Sequence, residues 1–163
     1  MNDREEKLKA SCVEEIERVI AYFGHTKQRI IPWPNIVFTL KGVCAGKCQI
    51  RKKCINLNLA LLLQECSKFL NRTPGHEAVH WVEFYLYGSS NHGKRWKSLM
   101  NEIGLDNSRC HDYDCSKVRR KTKKYDYKCS CTTFSISAIR HGKILKGKTY
   151  RCLKCNQKII LVE

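Results

Sequence analysis

His76 and His80 flank Glu77 in the order His-Glu-x-x-His, and His92 follows in the same stretch, PGHEAVHWVEFYLYGSSNHGKRW. Half of the chain's six histidines therefore fall within seventeen residues. On a helix, residues four apart project from one face a turn apart. His76 and His80 can then present their imidazoles to a single metal ion, with Glu77 beside them to accept a proton from water. The plain alternative is a helix whose polar side faces solvent. A catalytic zinc takes three protein ligands and keeps one position open. Glu83 shares the face, but the helical rise sets it roughly 10.5 Å along the axis from residue 76, too far for one ion. His92 is the better third ligand, because the turn YGSSN lets the chain come back; otherwise it is a surface histidine at a helix start.

A second group of ligand type lies further on. Cys129-Ser-Cys131 is followed, twenty residues later, by Cys152-Leu-Lys-Cys155. Four thiolates in two close pairs satisfy a tetrahedral structural zinc and close it to substrate. His141 could replace one of them; the alternative is four unrelated buried thiols. The total of eleven cysteines is odd. The charged start MNDREEKLKA has no apolar signal core, so the expected location is the cytosol, where free thiols and metal sites outweigh disulfides. Cys44, Cys48 and Cys54 are read as inert buried thiols at strand positions.

The net charge is +16, unevenly spread. Residues 117–158 hold fourteen Lys and Arg against one acid, Asp126, and the rest of the chain carries only +3. Such asymmetry points to a polyanion, most simply DNA contacted through phosphates without sequence choice; the bland alternative is a solvated face. Arg119, Arg120, Lys121, Lys123, Lys124 and Lys128 are the candidate phosphate contacts. Tyr125, Tyr127, Phe134 and Tyr150 are candidates to stack on bases, at least two of them serving instead as local core. No apolar run is long enough to span a membrane.

These groups need elements to position them. Residues 5–23 read as an amphipathic helix, with Leu8, Cys12, Ile16, Val19, Ile20 and Phe23 on one stripe and Gly24 at its end. After the Pro32 and Pro34 loop, IVFTL, CQI and CINLN predict a small antiparallel sheet, and LALLLQECSKFL predicts a helix. The histidine helix runs to about Tyr87 and stops at Gly88. It starts either at Thr73, with Pro74 in the first turn, or near Ser67 with a kink. HGKRWKSLMNEIG is a further helix, and from Tyr125 onward short strands lie between the cysteine pairs. The expected class is α+β, with a helix-and-sheet core over 1–116 and a basic linker and small β subdomain over 117–163.

Taken together, the chain resembles the SprT family of zinc metalloproteases. AGKC with INLN resembles the family's strand pair before the active helix. HExxH and NHGKRW resemble its zinc site, CHDYD with VRR the segment after the third histidine, and YKCSC with YRCLKC its zinc ribbon. Asn156 stands where that ribbon commonly has glycine, a position Asn tolerates. The resemblance implies a zincin core with a zinc-ribbon appendage, one catalytic and one structural Zn2+, and proteolysis of proteins held on DNA. Glu77 would then be the general base, with His111 and Tyr113 as candidate oxyanion contacts. The expected partners are DNA and a protein substrate, with no membrane; a monomer, cytoplasmic or nucleoid-associated, is favoured. The rival readings are a non-enzymatic nucleic-acid-binding protein with a structural zinc, and a zinc peptidase indifferent to DNA.

Overall fold

The computed structural model describes residues 3–162. The fold is α+β in two compact units, the first ending at Arg119 and the second beginning at Arg120.

The first unit opens with α1 (Asp3–Thr26), whose first turn carries Asp3, Glu5 and Glu6 at the positive end of the helix dipole. Its stripe of Cys12, Ile16, Val19, Ile20 and Phe23 is buried as the periodicity predicts. The helix runs past Gly24, because one glycine weakens a helix by only about 1 kcal/mol. It closes instead where Gln28 takes φ 49 and the Arg29 N–H donates to the Gly24 carbonyl at 3.0 Å.

Three short strands follow, β1 (Asn35–Val37), β2 (Gly46–Gln49) and β3 (Cys54–Leu57), in the spatial order β1-β3-β2. The sheet is mixed, not antiparallel as expected. β2 and β3 form an antiparallel hairpin, while β1 pairs in parallel with the far side of β3 through Asn35↔Cys54 to Val37↔Asn56. The connection between β1 and β3 contains all of β2, which is long enough for the crossover that a parallel pair requires. β2 is left as an edge strand. Buried Asn58 shapes the chain leading into it: its side-chain NH2 donates to the carbonyls of Gly42 and Cys44, and its Oδ1 caps α2 (Leu59–Gln64).

LALLLQECSKFL makes two short helices, α2 and α3 (Cys66–Leu70), broken at Glu65. α4 (Thr73–Tyr87) then starts with Pro74 in its first turn, where the missing N–H has no intrahelical partner to lose. It ends at Gly88, which takes φ 75 and donates to the Phe84 carbonyl at 2.7 Å. α5 (Lys94–Glu102) buries Trp96, Leu99 and Met100. α4 is the central element and packs against α1, α3, β2, β3 and α5. Ile16, Phe23, Leu61, Phe69, Val79 and Val82 are fully buried around it. Each such side chain contributes roughly 1.5–3 kcal/mol through its burial.

The second unit contains β4 (Lys124–Lys128), β5 (Thr133–Ser137), α6 (Ala138–Leu145) and β6 (Ile160–Leu161), with sheet order β5-β4-β6. α6 departs from the all-strand expectation. Ser137 caps it by accepting the Arg140 N–H, and His141 stacks on Tyr125 at 3.6 Å between centroids. Tyr127, Ile136, Cys152 and Ile159 form a small core.

Candidate metal centre

Along α4 the turn spacing sets His76 and His80 on one face, and the loop between α4 and α5 returns His92 to them. His92 Nε2 lies 3.0 Å from the Nε2 atoms of both His76 and His80. A tetrahedral ion with metal–nitrogen bonds of 2.0–2.1 Å sets its ligand nitrogens about 3.3 Å apart, so the three rings are arranged as such an ion needs. Hydrogen bonding alone does not explain the cluster: a single N–H on His92 can serve only one of its two neighbours. Among the described residues, no fourth His, Cys, Asp or Glu joins them, which leaves a side open.

Burial favours the uncharged rings. It draws His76 down to about 3 and His80 to about 4, helped by the neighbouring imidazoles, and it lowers His92 as well. Neutral imidazole is the form that ligates a metal. The His80 Nδ1 meets the Ser90 hydroxyl at 2.8 Å, which fixes the ring's orientation. Trp96 floors the site, with its ring 4.7, 5.3 and 4.8 Å from those of His76, His80 and His92.

Glu77 points from α4 towards the edge strand, where its Oε2 accepts the Cys48 backbone N–H at 2.7 Å. Burial pushes its carboxyl up to about 7, with that N–H pulling the other way. Such a group can both take and release a proton near neutrality. The approach is close enough to require glycine: a Cβ on Gly46 would lie 2.6 Å from the Glu77 Cγ. The cleft in front of these residues has a volume of about 520 Å³, with β2 on one wall and Arg109, Cys110 and His111 on another.

His111 lies on that wall, but both its ring nitrogens are engaged, one with the Val43 carbonyl at 2.9 Å and one with the Tyr113 N–H at 3.3 Å. The Tyr113 hydroxyl is bonded to Thr73 and to the Lys68 carbonyl, which makes it a brace between α3 and α4. Cys44 is exposed and outside the strands, contrary to the expectation of a buried thiol, because the loop before β2 carries it; Cys48 and Cys54 are on strands.

In the second unit, the thiols of Cys129, Cys131, Cys152 and Cys155 all lie within 4.8 Å of one another. Cys131 Sγ is 3.4 Å from that of Cys129 and 3.7 Å from that of Cys152. Bonds of 2.3 Å to a tetrahedral ion give sulfur separations of about 3.8 Å, so this set fits a metal too. The Gln157 N–H and the Ser130 hydroxyl draw Cys155 down to about 6, and backbone N–H groups lower Cys152. His141 takes no part: its Nδ1 meets the Tyr127 hydroxyl at 3.0 Å.

Of the residues proposed to meet nucleic acid, Arg119, Arg120, Lys121, Lys123, Lys124 and Lys128 are exposed. Tyr125 is half-buried under His141. The stacking expectation for Tyr127 is corrected. Tyr127 is 1% exposed and forms the unit's core, so its ring has no free face for a base.

Sequence reasoning missed Gly46, Cys48, Ser90 and the flooring role of Trp96. A glycine inside a strand is the signal that could have found the first, since it often marks a close backbone approach. The others act through contacts distant in sequence.

The SprT-like family model matches residues 16–116, the stretch that contains α4 and His92. The chain is 34% identical to Protein SprT of Vibrio parahaemolyticus over 135 residues, covering 81% of each chain. It is 31% identical to Protein SprT of Pseudomonas putida over 155 residues, 92% of this chain and 89% of that one. For Protein SprT of Pasteurella multocida the identity is 32% over 143 residues, 86% and 83% of the two chains. No solved structure matches significantly.

Proposed function

The chain belongs to the SprT-like family, and from that premise we propose that it is a zinc-dependent endopeptidase, stimulated by DNA and acting on proteins held on DNA. The observation that carries the peptidase reading is the meeting of three imidazoles and one buried carboxylate in an open-sided cleft. In this reading His76, His80 and His92 hold the catalytic zinc in a zincin-type core. The four cysteines hold a structural one.

Zinc held by the histidines supplies Lewis acidity, making water more acidic and polarising a scissile carbonyl. Glu77 moves the protons. Its Oε2 is anchored by the Cys48 N–H, leaving Oε1 to take a proton from the attacking water and return it to the departing amine. Burial raises the carboxyl to about 7 in the metal-free site, and the charge of a bound zinc would draw it down, favouring the ionised form that accepts the water's proton. The closed alternative, a structural metal with four protein ligands, is disfavoured because only three such side chains meet among the described residues.

DNA stimulation is supported by the run of exposed cations from Arg119 to Lys124 and by the charge of residues 117–158. The test is to incubate the zinc-loaded protein with a DNA-bound protein, with and without single-stranded DNA, and to look for fragments. Fragments that rise with DNA and vanish in Glu77→Gln, while that variant keeps its fold and zinc, are the expected result. Cleavage that persists in Glu77→Gln would remove the proposed base. Cleavage indifferent to DNA would leave a zinc peptidase without a nucleic-acid partner.

A further inference from the structure

We propose that Glu83 is a positioning residue for the third histidine: its buried carboxylate ties the loop between α4 and α5 to α4 and so holds His92 at the metal centre. The inference rests on reading His76, His80 and His92 as one metal site. Glu83 is 1% exposed and lies less than one turn beyond His80. Its Oε2 accepts the Asn91 backbone N–H at 2.9 Å, and Asn91 immediately precedes His92. The residue before Asn91 is Ser90, whose hydroxyl meets the His80 Nδ1 at 2.8 Å. The contacts thus close a ring, from His80 through Ser90 and Asn91 to Glu83 and back along the helix. Asn91 extends it forward, its Oδ1 accepting the Gly93 N–H at 2.7 Å on the other side of His92.

The carboxylate is poorly compensated where it sits. Its Oε1 is buried with no hydrogen-bond partner, and the nearest cation, Arg95 Nε, stands 3.9 Å away. Burying a carboxyl group with one oxygen unpaired is costly. The contact that offsets this cost is the Asn91 N–H, next to His92. An acceptor placed there orients a ligand, and losing a group that orients a metal ligand typically lowers metal affinity by about 10- to 100-fold.

The experiment is a Co2+ titration of the full chain, in which a nitrogen-ligated site and a four-thiolate site have separate absorption bands. Glu83→Leu should weaken Co2+ binding at the histidine site by about 10- to 100-fold and change its visible bands, approaching His92→Ala. The thiolate bands should keep the wild-type midpoint. Glu83→Gln, which still presents an oxygen to Asn91, should recover most of the affinity. Wild-type affinity in Glu83→Leu overturns the proposal and leaves the metal site standing. Absence of the nitrogen-ligated signal in the wild type sinks the metal-site reading itself. Should Glu83→Leu fail to fold, amide exchange at Asn91 in the wild type decides: protection supports the tether, and exchange at the rate of an open loop overturns it.

Discussion

The environment of Glu77, the proposed base, is set largely by a residue with no side chain. Gly46 lets β2 approach until the Cys48 N–H reaches the carboxylate, and a methyl group there would lie 2.6 Å from the Glu77 Cγ and 2.8 Å from the Thr73 Cγ2. Gly46→Ala should therefore displace the carboxylate while leaving the histidines in place. Overpacking of this kind costs about 1–3 kcal/mol of stability. A displacement near 1 Å would lower cleavage by about 100-fold. The check is peptidase rate beside zinc content; unchanged cleavage would mean that β2 yields easily. A second expectation concerns the metal-free protein. His76 and His80 stay neutral in the folded state down to about 3 and 4, whereas unfolded histidine protonates near 6.5. Below pH 6.5 the unfolded chain binds protons that the native one refuses, so each such histidine lowers stability by about 1.4 kcal/mol for every unit of acidification. Denaturant melts of the metal-free protein at pH 7 and pH 5 measure this, and zinc at pH 7 should raise the midpoint. The three histidines and Glu77 were legible because a helical motif and one turn declare them. Gly46, Cys48 and Trp96 were not, because their roles are contacts across the fold.

The elements were legible where periodicity is strong. α1 and α5 lie where their apolar stripes place them and bury those stripes, and α4 ends at Gly88 as read, although it is buried nearly all round from Thr73 to Glu83. What pattern alone could not fix was decided by pairing partners and by local breaks. β1 takes the edge of β3 that the hairpin leaves free, and pairs with it in parallel, which no window of sequence contains. Glu65 splits what read as one helix, and α6 replaces an expected strand because Ser137 supplies a cap that the cysteine spacing obscured. The four-cysteine cluster is the feature that these small elements share. Cys129 and Cys131 follow β4, and Cys152 and Cys155 precede β6, with only four buried side chains in the core beside them. A core this small is consistent with the proposed structural zinc, which would staple these elements together. Elemental analysis should find two zincs per chain, falling to one in the Cys152→Ser, Cys155→Ser variant. That variant should lose the second unit's cooperative unfolding and keep the histidine-bound zinc. Loss of both metals would show that the two centres are not independent.

The molecule as a whole divides its chemistry and its charge between different stretches of chain. The histidine centre lies in the first unit, whereas residues 117–158 hold nearly all of the net +16. Arg119, Arg120, Lys121, Lys123 and Lys124 are exposed, and none of them takes part in a salt bridge among the described residues. They can meet phosphates, with Lys123 Nζ also 5.1 Å from the centre of the Tyr125 ring. Each phosphate neutralised releases counterions, so binding weakens with salt by a slope of about 0.7 to 0.9 per phosphate. Replacing the five with alanine should lower DNA affinity and flatten that slope by the same amount for each phosphate left unneutralised, measured by fluorescence anisotropy across a salt series. The effect should be alike for unrelated DNA sequences, since phosphate contacts carry no base information. Zinc content and cleavage without DNA should be unchanged, because the substitutions lie outside the histidine centre, while the increase produced by DNA should disappear. A variant with unaltered affinity and slope would show the run to be a solvated face, and the source of any DNA stimulation would then have to be sought among Lys128, Arg140 and the other cations of the second unit.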